Sequence, residues 1–136
     1  LERLTIADGL CGNMISSIRI DQQGRMWYAT VHNGLCMQEN DRVINISEIA
    51  GLVDKDIWSI LIDHKNELWF SVKGVGVYHY DGAAFTLYDK DDGLAHLSMF
   101  KLLEDRQGRI WATGFGGAYR LEKNRFVNVT RDGPWP

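Results

Sequence analysis

The sequence has no cluster of Lys and Arg, no apolar run of membrane-spanning length and only two cysteines, and each shortage removes a class of function. Phosphate backbones are bound by clustered cations. With 15 Lys and Arg spread among 18 Asp and Glu, the net charge is -3 and no nucleic-acid partner is expected. A transmembrane helix needs roughly 20 consecutive apolar residues, so no membrane segment is expected in this chain. The opening "LERLTIADGL" lacks the charged start and apolar centre of a secretory leader. It also begins on Leu1 instead of Met, and reads as a piece of a longer chain. Cys11 and Cys36 show neither C-x-x-C nor metal spacing, which favours two buried or half-buried thiols over a disulfide.

What is present is a repeat. "DQQGRMW" at 21–27 returns as "DHKNELW" at 63–69 and as "DRQGRIW" at 105–111, a spacing of 42 residues each time. Gly9-Leu10 returns as Gly51-Leu52 and Gly93-Leu94, and Ile18 as Ile60 and Leu102. Gly34 recurs as Gly76 and, one residue early, as Gly117; a single deletion of this kind is absorbed by a loop. At 45% hydrophobic and 24% charged, the chain has ordinary globular composition, enough for a core within one domain.

Each unit reads as four short strands. "MISSIRI", "DIWSILI" and "SMFKLLE" open the units, and the tryptophan segments "RMWYAT", "ELWFSV" and "RIWAT" follow. Then come the segments "GLCMQE", "GVYHY" and "GAYRLE", and finally "VINIS", "FTLY" and "FVNVT". Short β-branched and aromatic runs bounded by turn residues, without capped helical spacing, predict an all-β chain. In D-x-x-G the aspartate accepts from nearby amides and the fourth residue adopts positive φ. Asn66 stands at that position in the middle unit, and Asn tolerates that conformation, so the turn reads as structural.

Apolar residues fall on both faces of each predicted sheet, so each sheet expects a neighbour on either side. Trp27, Trp69 and Trp111 are read as contacts between such neighbours. Four-stranded units of this length packed face to face predict blades of a β-propeller, with a stacked solenoid as the other arrangement. The expected blades span 8–49, 50–91 and 92–131, with 1–7 as the outer strand of a preceding blade and Asp132-Gly133 restarting the repeat. Three blades are fewer than the 4 to 8 of ordinary closed rings. The sequence therefore expects either further blades or a second copy that completes a six-bladed ring.

Catalytic and metal signatures are missing. His32, His64, His79 and His96 occupy unrelated repeat phases, so no metal centre is expected. "DKDDG" at 89–93 lacks the later glutamate of a calcium loop and reads as an acidic turn. No G-x-S-x-G, P-loop or paired carboxylate frame appears, and neither an enzyme nor a cofactor is expected. Recognition is expected on the variable loops, which leave the sheet at the end opposite the D-x-x-G turns. His32, Asn33, Lys73 and Phe115 occupy the loops after the tryptophan strand, and Asp56 and His96 lie near the start of the first strand. Ser17, Ser59 and Lys101 share a phase on the predicted innermost strand and are candidates for a central channel.

The segments "ADGLCGNMISSIRIDQQGRMWYATVHNGL" and "DDGLAHLSMFKLLEDRQGRIWATGFGGAYRL" resemble the two-component regulator propeller repeat: Asp-Gly-Leu, a strand, Asp-x-x-Gly, an apolar residue and Trp, then Gly-Leu or Gly-Tyr. The middle unit departs by Ala50 and Asn66. The resemblance implies a β-propeller in the extracytoplasmic sensor region of bacterial histidine kinases and hybrid two-component systems, many of which regulate polysaccharide use. A periplasmic or extracellular place, a small-molecule or oligosaccharide ligand and a relay to an output domain follow as expectations. The rivals are a stand-alone dimeric scaffold and, further off, a propeller lyase or glycosidase.

Overall fold

Each tryptophan strand lies between two others in its own sheet, and each sheet presses its apolar face on the next. The computed structural model describes residues 12–46, 51 and 55–130. The first sheet holds β1 (Ile15–Ile20), β2 (Met26–Thr30), β3 (Leu35–Glu39) and β4 (Arg42–Asn45). The second holds β5 (Ile57–Ile62), β6 (Leu68–Val72), β7 (Gly76–Tyr80) and β8 (Phe85–Tyr88). In the third are β9 (Met99–Glu104), β10 (Ile110–Gly114), β11 (Gly117–Glu122) and β12 (Arg125–Asn128). All three are antiparallel meanders in chain order, so the all-β reading and the four-stranded blades stand. The predicted outer strand at 1–7, Cys11, and the repeat residues Leu52 and Asp132-Gly133 lie outside the described residues. Cys36 is buried.

The D-x-x-G turn and the tryptophan prove to be one device. Asp21 Oδ1 accepts from the amides of Gln23 and Arg25, both at 3.0 Å, while its Oδ2 accepts the Trp27 indole N–H at 3.0 Å. Asp63 does the same for Lys65, Glu67 and Trp69, and Asp105 for Gln107, Arg109 and Trp111. A large ring buried between blades must satisfy its single polar group. The turn aspartate does so six residues away, which is why the two residues repeat together. Asn66 has φ 61°, and its side chain also accepts from the Gln22 amide at 2.8 Å, tying the second turn to the first.

Two cores lie between the three sheets. Trp27, Leu35, Ile57, Ile60 and Phe70 fill the first, and Trp69, Val77, Met99, Leu102, Tyr119 and Phe126 fill the second. β6 is buried along its whole length, as expected for a strand covered on both faces. Trp27 and Trp69 are each 4% exposed, in line with the contact role read from the sequence. Between sheets, contacts run chiefly through β1, β5 and β9, which places these first strands innermost, side by side. At Gly76, with φ 137°, a Cβ would meet the Tyr88 carbonyl at 2.2 Å, so only glycine admits this approach of β7 to β8.

Candidate functional site

The innermost strands carry an irregularity that shapes the loop end of the molecule. In β1 the pairing steps from Ile15↔Thr30 to Ser17↔Ala29, leaving Ser16 unmatched. Trp58 is skipped in the same way between Ile57 and Ser59, and Phe100 between Met99 and Lys101. An unmatched residue in a β-bulge is re-aimed away from the ladder. Here the bulge recurs at one phase, near the loop end of all three blades.

Its consequence is an aromatic group reaching across two blades. Trp58 and Phe100 stack with centroids 4.9 Å apart and planes at 14°. Phe100 meets Phe115, from the β10–β11 loop, at 4.8 Å and 62°. Phe100 and Phe115 remain 48% and 58% exposed, so this aromatic surface faces solvent. Isolated exposed apolar residues need no explanation, but a contiguous aromatic group marks a contact surface.

Charges adjoin it. Lys73 Nζ sits 5.9 Å from the Trp58 ring centroid and 3.9 Å from Asp56 Oδ2. On its other oxygen Asp56 accepts from the His32 amide at 2.8 Å, and His32 Nδ1 lies 2.8 Å from that same atom. His32, Asp56 and Lys73 therefore form a chain from the first blade to the second, ending beside the aromatic stack. The Asp56 link has a counterpart one repeat on, where the Gly74 amide donates to Ser98 Oγ at 3.0 Å. Part of this arrangement thus serves to join blades.

Four of the nine residues singled out in the sequence, His32, Asp56, Lys73 and Phe115, belong to this group. His96 lies alongside it: a Cβ on Gly116 would meet its ring at 2.4 Å, which places the imidazole against the β10–β11 loop. Asn33 packs against Gly12. Ser17 is half-buried opposite Ala29, and Lys101 is exposed opposite Thr113. Ser59 is only 3% exposed and its hydroxyl accepts the Leu102 amide at 3.2 Å, so it bonds one blade to the next. Trp58 and Phe100 were missed by the sequence reading. They stand one residue before Ser59 and Lys101, and the bulge that exposes them has no sequence signature beyond their own bulk.

"DKDDG" forms a single 3-10 turn, Lys90–Asp92, in which the Asp89 side chain accepts the Asp91 amide and Asp92 accepts the Asp89 amide. Its carboxylates serve the backbone, as an acidic turn requires. Among the described residues no helix is long and apolar enough to cross a membrane.

Residues 9–32 match the family model of the two component regulator propeller. No curated protein matches the chain. Among solved structures, the chain is similar to the extracellular domain of BT3049 from B. thetaiotaomicron, titled a hybrid two component system, with TM-score 0.80 and 21% identity over 98% of this chain. The extracellular domain of BT4673 from the same organism, also titled a hybrid two component system, gives TM-score 0.73 and 16% identity over 90% of this chain. PorZ, a bacterial surface component of the type-IX secretion system of Porphyromonas gingivalis, gives 0.63 and 12% over 95%. The chain spans 19% of the length of each of the first two and 23% of the third. Identities this low carry the fold, a run of propeller blades, and the resemblance read from the repeated turn and tryptophan stands with it.

Proposed function

We propose that the chain is part of an extracytoplasmic sensor propeller that binds a small molecule or oligosaccharide at its loop end and passes the bound state to an output domain of its parent protein. One observation carries this reading: residues from three blades, His32, then Asp56, Trp58 and Lys73, then Phe100 and Phe115, meet on one surface. Aromatic faces accept the apolar faces of sugar rings, and a carboxylate beside an ammonium orients hydroxyl groups. The family likeness and the extracellular domains among the similar structures support the placement outside the cytoplasm.

A ligand seated here touches several blades at once. It therefore favours whichever blade arrangement suits it, and the signal is a shift in population. No catalytic role is proposed: Asp56 is paired with His32 and Lys73. A screen of neutral and acidic oligosaccharides by calorimetry tests the reading. Binding that is lost in Trp58→Ala and weakened in Lys73→Ala supports it; binding unchanged in both variants, or absent throughout the screen, overturns it.

A second feature favours association with further blades or with another copy of the chain. Ile18 and Ile20 on β1 are 44% and 63% exposed, whereas Ile60 at the matching position of the middle blade is fully buried. Light scattering across a dilution series distinguishes a stable dimer from a monomer.

A further inference from the structure

The turn end of the middle blade departs from its two siblings in a coordinated way. In the first blade Arg25 Nε lies 2.6 Å from Asp21 Oδ2, and in the third Arg109 Nε lies 2.7 Å from Asp105 Oδ2. The middle blade has Glu67 at that position, so Asp63 faces a second carboxylate where its siblings face a guanidinium. The residue paired with the tryptophan changes as well. Met37 stands opposite Trp27 and Arg120 opposite Trp111, but His79 stands opposite Trp69.

These two departures meet. His79 Nε2 is 2.6 Å from Glu67 Oε2, and one donor atom each from Asp63, Glu67 and His79 lies within 4.8 Å of the other two. No other set of three such side chains converges in this way among the described residues. The Trp69 ring orders two members: its N–H donates to Asp63 at 2.8 Å, and its face stacks on the His79 imidazole at 4.1 Å and 16°. Asp63 is 7% exposed, while Glu67 and His79 border an open cleft of about 350 Å³. Arg109 lines the same cleft but is held by Asp105, and Lys65 and Lys123 are exposed to solvent.

We propose that Asp63, Glu67 and His79 bind a divalent transition-metal ion of the zinc class. The charge balance favours it, since two carboxylates share one imidazole where the sibling blades hold an Asp–Arg pair. The donor chemistry favours it too: one imidazole nitrogen and two carboxylate oxygens suit zinc and its neighbours, and three protein donors leave a coordination position open to the cleft. Around bonds of about 2.1 Å, tetrahedral donors lie roughly 3.4 Å apart, so closure requires side-chain movement of about an ångström. The ion takes the His79 Nε2 lone pair in place of the contact with Glu67, and the neutral ring then carries its single proton on Nδ1.

Calorimetric titration with zinc chloride, and the visible absorption of bound cobalt(II), test the site directly. The control is built into the fold: Glu67→Arg with His79→Met rewrites the middle turn as the first blade's, an arrangement this scaffold already folds. The proposal expects one ion per chain and at least a tenfold loss of affinity in the double variant. Two results overturn it: no binding by the unaltered chain, or equal binding by the double variant.

Discussion

The two ends of the same three blades differ in how much they are allowed to vary. At the turn end, an aspartate holds two amides and an indole in every blade with nearly the same distances. At the loop end the bulged residue is Ser16 in one blade, Trp58 in the next and Phe100 in the third. A repeated backbone needs its turn and its inter-blade ring solved identically each time, whereas a loop pointing to solvent carries no such demand. What repeats is framework; what diverges leaves room for the recognition proposed above. The middle turn, with Glu67 and His79, is the exception that suggests a site where only framework is otherwise found.

The sharpest way to break this contrast is to remove the framework at one turn. Asp21→Ala leaves two amides and a buried indole N–H without their acceptor, and is expected to cost about 4 kcal/mol in urea-unfolding measurements. A loss below about 1 kcal/mol would show the repeated aspartate to be incidental. Gly76→Ala comes next, because it places a Cβ on the Tyr88 carbonyl at positive φ. The expected cost is about 3 kcal/mol, which shows that framework positions also exist near the loop end.

Trp58→Ala sharpens the contrast from the other side. Loss of one partly exposed stack with Phe100 is expected to lower stability by only about 1 kcal/mol while abolishing ligand binding. A large drop in thermal midpoint would instead make Trp58 a core residue.

The smallest effect is on pH dependence. Burial by itself raises the Asp21 carboxyl, but the Trp27 indole and the amide and guanidinium of Arg25 outweigh it and hold the group below its ordinary value. Asp105 is likewise held well below that value, against burial, by the Trp111 indole and by Arg109. Depressed carboxyls stabilise the fold above the unfolded-state value near pH 4, and that contribution disappears as pH falls through the folded-state values. The thermal midpoint is therefore expected to hold steady from pH 7 to about 5 as far as these two groups are concerned, and to drop below about 4. A smaller drop is expected in Asp21→Asn.

Most of the architecture was legible because repetition multiplies weak signals. One D-x-x-G is a common turn, but three at a spacing of 42 with a tryptophan behind each define strand, turn and blade together. The loop end was legible as a region, and His32, Asp56, Lys73 and Phe115 converge there. The register within it was not. Ser17, Ser59 and Lys101 share a repeat phase, and a one-residue bulge turns the residue before each, Ser16, Trp58 and Phe100, out of the ladder. The Asp63–Glu67–His79 group escaped for a different reason. The four histidines share no phase, and His79 meets Glu67 only through strand pairing that brings it over Trp69.

Recognition at the loop end, across the blades, is open to test in one spectrum. With a ligand from the oligosaccharide screen added stepwise, amide and indole resonances are followed by two-dimensional NMR. The Trp58 indole and the amides of Lys73, Phe100 and Phe115 are expected to shift together with one affinity, while those of Gln23, Lys65 and Gln107 at the turns stay in place. Shifts confined to the turn amides, or a bound ligand that leaves Trp58 unmoved, would contradict it.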